Sequence, residues 1–384
     1  MNEPASELFP DDGPSDTGDR LATGILPSQA IRRMIQNKEI IGAEPIETAQ
    51  IQPASLDLRL GETAYRVQAS FLPGPNATVR DRLRDLSLYE IDLRSGAVLE
   101  VGAVYIVPLM ESVSLKWRTS AIANPKSSTG RLDVFARVIS DRSVRFDQIA
   151  EQYKGPLYVE IAPSTFNVRV RKGSRLVQMR IRRGNPPMTQ RALQDLQEER
   201  GLIVDGPGLA REGGVQFTVD VRGNENGLIG FKARKHAPVV DIESVGIYEP
   251  REFWDPVIVE PGRGIILDPD DFYILVSKEA VQVPPDYAAE MVPYDTMMGE
   301  FRVHYAGFFD PGFGWSGSGG AGSRAVLEVR SHEVPFLIED GQIVGKLQYE
   351  RLAARPDCIY GLTIGSSYQS QGLRLGKQFK PYGP

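Results

Sequence analysis

Hydrophobic residues along this chain come in short runs bounded by turn formers. Val104-Tyr-Ile-Val-Pro-Leu109, Leu157-Tyr-Val-Glu-Ile161, Phe272-Tyr-Ile-Leu-Val276 and Ala325-Val-Leu-Glu-Val329 are β-branched and aromatic, and Gly, Pro and Asp flank them. That pattern predicts strands joined by tight turns. Between 168 and 183, Arg169, Arg171, Lys172, Arg175, Arg180, Arg182 and Arg183 interleave with Val168, Val170 and Leu176. This is the alternation of a half-buried strand, and it predicts a solvated basic outer face. Helical spacing is confined to two places. Pro27 and Ser28 precede Ile31, Met34 and Ile35, and Thr189 precedes Ala192, Leu193 and Leu196, so a short amphipathic helix is expected at each. Residues 1–24 carry Glu3, Glu7, Asp11, Asp12, Asp16 and Asp19 with no apolar period, the composition of a disordered acidic tail.

A similar string follows each helix. Gln52-Pro-Ala-Ser-Leu-Asp57-Leu-Arg59-Leu-Gly61 shares Gln, Asp, Arg and Gly landmarks with Gln216-Phe-Thr-Val-Asp220-Val-Arg222-Gly223. Asp57 and Asp220 are 163 positions apart, and both Glu160/Glu328 and Gly173/Gly341 are 168 apart, so the chain reads as an internal repeat with a small insertion. The expected division is a tail over 1–24, a first repeat over 25–187, a second over 188–352 and a C-terminal arm over 353–384. Arg182-Arg183-Gly-Asn-Pro-Pro187 serves as the linker. With 38 Gly and 28 Pro in 384 residues, tight turns are frequent. The fold class expected is mainly β: two tandem jelly-roll-like β-barrels of about 150 residues each, with a few short helices.

Composition narrows the chemistry. Lys and Arg number 44 against 50 Asp and Glu, giving a net charge of −6, which argues against broad nucleic-acid binding. A small anionic ligand would need a local basic pocket. No run approaches eighteen apolar residues, the amino terminus lacks the basic and apolar regions of an export signal, and Cys358 is alone, so neither membrane nor export is expected and the cytoplasm is the default. His236, His304 and His332 are far apart in sequence without a CxxC or HExxH, so zinc chemistry is not expected. No GxSxG elbow accompanies a histidine base, and carboxylate chemistry remains.

The sharpest segment is Asn124-Pro-Lys126-Ser127-Ser128-Thr129-Gly130-Arg131-Leu132. Cations flank consecutive hydroxyls and a glycine that admits close backbone approach, the inventory a polyphosphate needs. The string resembles the phosphate-binding motif of the dUTPase and dCTP deaminase superfamily. Gln52 to Gly61 is similar to an amino-terminal string of dCTP deaminases. Phe309-Asp310-Pro311-Gly312-Phe313 with Trp315-Ser316-Gly317 and then Val326-Leu327-Glu328 resembles the family segment that supplies a general acid/base glutamate, and Tyr368-Gln369-Ser370-Gln371-Gly372 resembles the arm that closes over the nucleotide. The resemblance runs from about residue 28 to 375. It implies two dUTPase-like domains and the reaction dCTP + H2O → dUTP + NH3, with no catalytic metal and with Mg2+ carried on the triphosphate. By resemblance Glu328 is the acid/base, with Glu160 as its counterpart in the first repeat. Ser127 and Arg131 hold and orient the water, while Lys126, Ser128, Gly130, Asp310, Val326, Tyr368 and Gln371 bind substrate. The implied partners are dCTP and dUTP, dTTP as an inhibitor, and further barrels in a pseudo-trimeric arrangement.

The two repeats depart from the family motifs at different places. Thr296, Met297, Met298, Gly299 and Glu300 stand in the second repeat where the first has its hydroxyls and arginine, and methionines and a glutamate cannot hold phosphates. The first repeat has Asp147-Gln-Ile-Ala-Glu-Gln-Tyr-Lys154 where the second keeps Asp310-Pro311-Gly312. Family sites lie between subunits, so the complementary losses predict one composite site: Ser127 and Arg131 from the first repeat facing Glu328 from the second. Glu160, at the equivalent strand position, stays the alternative base, and for either glutamate the plain structural reading is a salt-bridged strand carboxylate. The glycine-rich run from Gly314 to Gly322 lacks the Lys-Ser/Thr of a phosphate loop and is expected to be a mobile loop beside the site. Two alternatives stay open. Asp310 sits where dUTPases carry a hydrolytic carboxylate, which would make the chain a dUTP pyrophosphohydrolase or a bifunctional enzyme, and loss of motifs could leave a non-catalytic nucleotide sensor.

Overall fold

The computed structural model describes residues 22–184, 188–208, 210–211, 214–260, 262–293, 301–303, 307–318, 320–331, 334–361 and 372–383, the strand at 301–303 by its backbone alone. The chain is mainly β with few short helices, and the same pair of sheets occurs twice. Five strands, Gly24–Ile25, Leu56–Leu58, Thr119–Pro125, Gln148–Ile149 and Val177–Arg183, form one sheet of the first pair. Six more, Ile40–Gly42, Thr63–Val67, Ser87–Asp92, Val104–Ser114, Val134–Ser140 and Lys154–Pro163, form the other. Leu58, Val177 and Met179 from the smaller sheet and Val107, Val159 and Ile161 from the larger share one core, as expected when two half-apolar sheets bury their inner faces. The second pair repeats this order from Ile203–Asp205 to Ile343–Arg351, except that its short strand Ala210–Arg211 pairs with Gly214–Thr218, whereas Gly24–Ile25 pairs with Val177–Arg183.

Both expected helices form, as Ser28–Gln36 and Gln190–Arg200. Thr189 caps the second, its hydroxyl accepting the Ala192 amide at 3.2 Å. Pro27 stands at the N-cap of the first without a side-chain bond. No described helix is long and apolar enough to cross a membrane.

Strand register corrects the repeat offset near the amino end of each copy. Asp57 pairs with Gln178, and its structural counterpart Gln216 pairs with Lys346, an offset of 159 where landmark matching gave 163. Two buried glutamates fix this. Glu111 accepts the Arg59 amide at 2.7 Å, and Glu279, 168 positions later, accepts the Thr218 amide at 2.7 Å, again 159 after its counterpart. Asp220 is therefore not the counterpart of Asp57. The Glu160/Glu328 offset holds, since Glu160 lies opposite Ile106 and Glu328 opposite Ile274. By the same logic Phe309 beside Ala289 matches Ile149 beside Ala121, which puts Ala150 where the second repeat has Asp310.

The basic run is not simply a solvated face. Arg180 is fully buried, donating to the Ala289 carbonyl at 3.0 Å and lying 3.4 Å from Asp310, while Arg182 pairs with Glu350 and reaches Glu290 at 3.4 Å. Both arginines point into the seam between the halves. Alternation along one strand reports that one side is polar; here a second domain covers part of that side.

Candidate functional site

Strand Ser323–Ser331 carries the site because its two faces meet different surroundings. Ala325, Leu327 and Val329 enter the core of the second half, whereas Val326 joins a cluster that includes Leu132, Phe272, Leu375 and Phe379 at the seam. Side chains alternate along a strand, so Glu328 and Arg330 share the seam face with Val326. Opposite them lies the single helical turn Ser127–Gly130 and the chain that leaves it. The turn is pinned by the Lys126 amide to the Leu176 carbonyl at 2.8 Å and by the Thr129 hydroxyl to the same carbonyl at 2.9 Å.

Across this seam Arg131 Nε lies 3.9 Å from Glu328 Oε1, with Arg131 at 2% and Glu328 at 5% exposure. Arg131 Nη1 also donates to the Arg374 and Leu375 carbonyls, at 3.1 and 3.4 Å. Burial pushes the Glu328 carboxyl up to about 7, against the pull of the Arg131 guanidinium. A carboxyl there exchanges protons near neutrality, which suits a group that must take a proton and return it. Asp310, partly buried beside Arg180, is pushed up to about 6 by the same desolvation.

Glu160 sits differently. It is buried at the equivalent strand position, but Arg137 Nε donates to it at 3.1 Å and the Arg137 guanidinium stacks 3.8 Å from the Phe146 ring. Its neighbour Tyr158 packs with Val67, Val79 and Leu83, so helix Val79–Leu86 and the segment before it close this face of the first half.

The remaining expected residues divide. Ser127 is partly buried, and Ser128 and Gly130 are buried. Lys126 is paired with the buried carboxylate of Asp57 and, with Ser128, Arg175, Lys377 and Gln378, lines a cavity of about 240 Å³. Burial lowers the Lys377 ammonium. A larger cavity of about 740 Å³ lies between Val276, Arg324 and the C-terminal segment at Leu375 and Phe379. Tyr368, Gln371 and the run Thr296 to Glu300 lie outside the described residues. Among described residues no group of three or more His, Cys, Asp or Glu is placed to hold a metal ion.

Family comparison agrees with this two-part layout. A family model described as the 2'-deoxycytidine 5'-triphosphate deaminase N-terminal domain matches residues 22–185, and one for the C-terminal domain of the same enzyme matches 189–379. A solved structure described as 2'-deoxycytidine 5'-triphosphate deaminase from Agrobacterium tumefaciens is 54% identical with a TM-score of 0.82, covering 86% of this chain and 99% of that one. The chain belongs to the dCTP deaminase family. A curated dCTP deaminase, dUMP-forming, from Halobacterium salinarum is 33% identical over 124 residues, 31% of this chain and 59% of that protein. A dCTP deaminase from Tolumonas auensis is 29% identical over 189 residues, 46% of this chain and 90% of that protein.

Within this dCTP deaminase family chain, sequence reading missed the groups that hold the seam. Arg180 against Asp310 and Asp133 against Arg330 are ion pairs across it, and Asp57 against Lys126 is an ion pair within the first half. Asp57, Lys126 and Asp310 stand in the strings read above, but no local spacing links the two members of any of the three pairs. The only available signal was the basic run, whose alternation suggested solvent.

Proposed function

We propose that this chain deaminates dCTP to dUTP and ammonia at one composite site per chain. The observation that carries the reading is the meeting of Arg131 from the phosphate-loop half with Glu328 from the other half, at 3.9 Å and out of water. Attack of water on C4 of the base requires removal of its proton, and loss of ammonia requires a proton delivered to N3 and then to the leaving nitrogen. One carboxyl poised near 7 carries both protons in turn: ionised Glu328 takes the first from the attacking water and gives it to N3, then takes the second from the hydroxyl formed on C4 and gives it to the leaving nitrogen as the C4 carbonyl forms and ammonia departs. Arg131 orients the water and offsets the charge that develops on the tetrahedral carbon's substituents. Ser127 holds the water or the base edge. Lys126, Ser128 and the backbone at Gly130 face the phosphates, and Mg2+ arrives on the triphosphate, bound through phosphate oxygens and water.

The test is ammonia release from dCTP with Mg2+; no turnover sinks the reading. A second reading, that dUTP is carried on to dUMP, is favoured by the printed name of the Halobacterium salinarum relative and by the partly buried carboxylate of Asp310. Product analysis separates the two: accumulating dUTP excludes the second, and dUMP with pyrophosphate excludes the first.

A further inference from the structure

Two residues beyond each member of the Arg131–Glu328 pair stands a second pair of reversed polarity. Asp133 follows Arg131 and Arg330 follows Glu328, and their side chains form an ion pair across the same seam. Asp133 is fully buried and Arg330 is 8% exposed. Asp133 takes a left-handed backbone with φ +54, uncommon for a residue with a side chain, and its amide is held by the Gly130 carbonyl at 2.8 Å. The Thr165 hydroxyl donates to Asp133 Oδ2 at 2.5 Å, and Arg330 Nη2 donates to the Thr165 hydroxyl at 2.9 Å. Arg330 Nη1 donates to the Asp270 carbonyl at 2.7 Å. The turn that presents Arg131 and the strand that presents Glu328 are thereby tied together by one charge pair.

A buried ion pair of this kind adds little net stability over an apolar pair of the same shape, because desolvating two charges costs about what their attraction returns. What it adds is register and field. Arg131 can meet Glu328 only while the turn and the strand keep their alignment, and Asp133 is one of two charged groups whose field acts on Glu328.

We propose that Asp133 and Arg330 are positioning residues for the reaction, fixing the alignment in which Glu328 meets Arg131 and balancing the charge that Glu328 feels. The inference rests on Glu328 being the proton-transfer group. Among described side chains the charged groups nearest Glu328 are Arg131 and Asp133 from the turn and the chain after it, with Arg330 following on its own strand; the residue opposite on strand Phe272–Val281 is Ile274, and on the other side strand Phe301–Val303 sets Arg302 opposite Arg330. Neutralising one member of the pair unbalances the other, and the two single changes act in opposite directions. Asp133→Asn removes a negative charge and leaves the Arg330 cation, which favours ionised Glu328. Arg330→Met removes a positive charge and leaves the Asp133 carboxylate, which favours protonated Glu328.

The experiment is the pH dependence of kcat for ammonia release from Mg-dCTP in the full chain, with the δ-carboxyl titration of Glu328 followed by 13C NMR. The NMR signal is assigned by its loss in Glu328→Gln. The acidic limb of the profile is expected to move to lower pH in Asp133→Asn and to higher pH in Arg330→Met, by on the order of one pH unit each, which is about tenfold in rate on that limb. The double variant is expected to return the limb to near its original place, and Arg330→Lys to leave it there. Limbs that stay put, or that move the same way in both single variants, overturn the proposal, since loss of packing alone has no sign. If Arg330→Met does not fold, Asp133→Asn against the double variant carries the same contrast. If the unaltered chain shows no turnover, the proposed function fails, and opposite displacement of the Glu328 titration by NMR still decides the electrostatic claim.

Discussion

Glu328→Gln should make the protein inactive and more stable at the same time. The ordinary carboxyl value is 4.5 and burial takes Glu328 to about 7. Holding it ionised in the folded state therefore costs about 3 kcal/mol relative to the unfolded chain. The sign follows from proton binding. Between pH 4.5 and 7 the unfolded chain has lost a proton that the folded chain keeps, so this residue makes stability fall as pH rises through that window, and the whole cost is present above pH 7. Glutamine carries no charge at any pH and keeps nearly the same volume, and Arg131 retains the Arg374 and Leu375 carbonyls. The variant should match the unaltered chain at pH 4.5 and exceed its thermal midpoint by roughly 4 °C at pH 8. Its kcat should fall by on the order of 10²–10⁴ with KM for dCTP largely kept. In the unaltered chain, kcat/KM at pH 6 should be about a tenth of its value at pH 8, because about a tenth of Glu328 is ionised there in the free protein. Scanning calorimetry at the two pH values with ammonia release at each tests the reasoning. A stability gain that is equal at pH 4.5 and pH 8 refutes the buried-charge argument, and a kcat within tenfold of the original refutes the assignment of Glu328.

Glu160→Gln should leave kcat within about twofold, because Glu160 is bound to Arg137 beneath the first half's own helix, while urea unfolding registers a loss of about 1–3 kcal/mol from the broken pair. A dead Glu160→Gln with an active Glu328→Gln would move the site to the first half and end the composite reading. Arg131→Ala should raise KM for dCTP and lower kcat together, since a charged donor is lost beside both the carboxylate and the substrate; a change in KM alone would count against its role in orienting water. Phe379→Ala should cost about 3–5 kcal/mol in urea unfolding, since its ring lies 5.3 Å from Phe253 and 5.8 Å from Trp254 in the seam; a cost under 1 kcal/mol would show that the C-terminal segment does not seal the seam.

The strings around Arg131 and Glu328 were legible in sequence because each is local. A hydroxyl-rich turn and a strand glutamate can be recognised without knowing what they face, and complementary loss in the two repeats supplied the reason to bring them together. The pairs that hold them in place were not legible. Asp133 and Arg330 are 197 positions apart, and Arg180 and Asp310 are 130 apart, so neither leaves a spacing that periodicity can detect. The repeat offset failed for a related reason. Matching Gln, Asp, Arg and Gly assumes that the same letters serve the same purpose in both copies, yet the two copies share a different relation, a buried glutamate accepting an amide at the end of a short strand. In the first copy that amide belongs to an arginine and in the second to a threonine. The relation survives because the backbone amide is present whichever side chain follows it, and leaving it unpaired in the core would cost the same in either copy. Side-chain identity was thus free to drift where the backbone met the requirement.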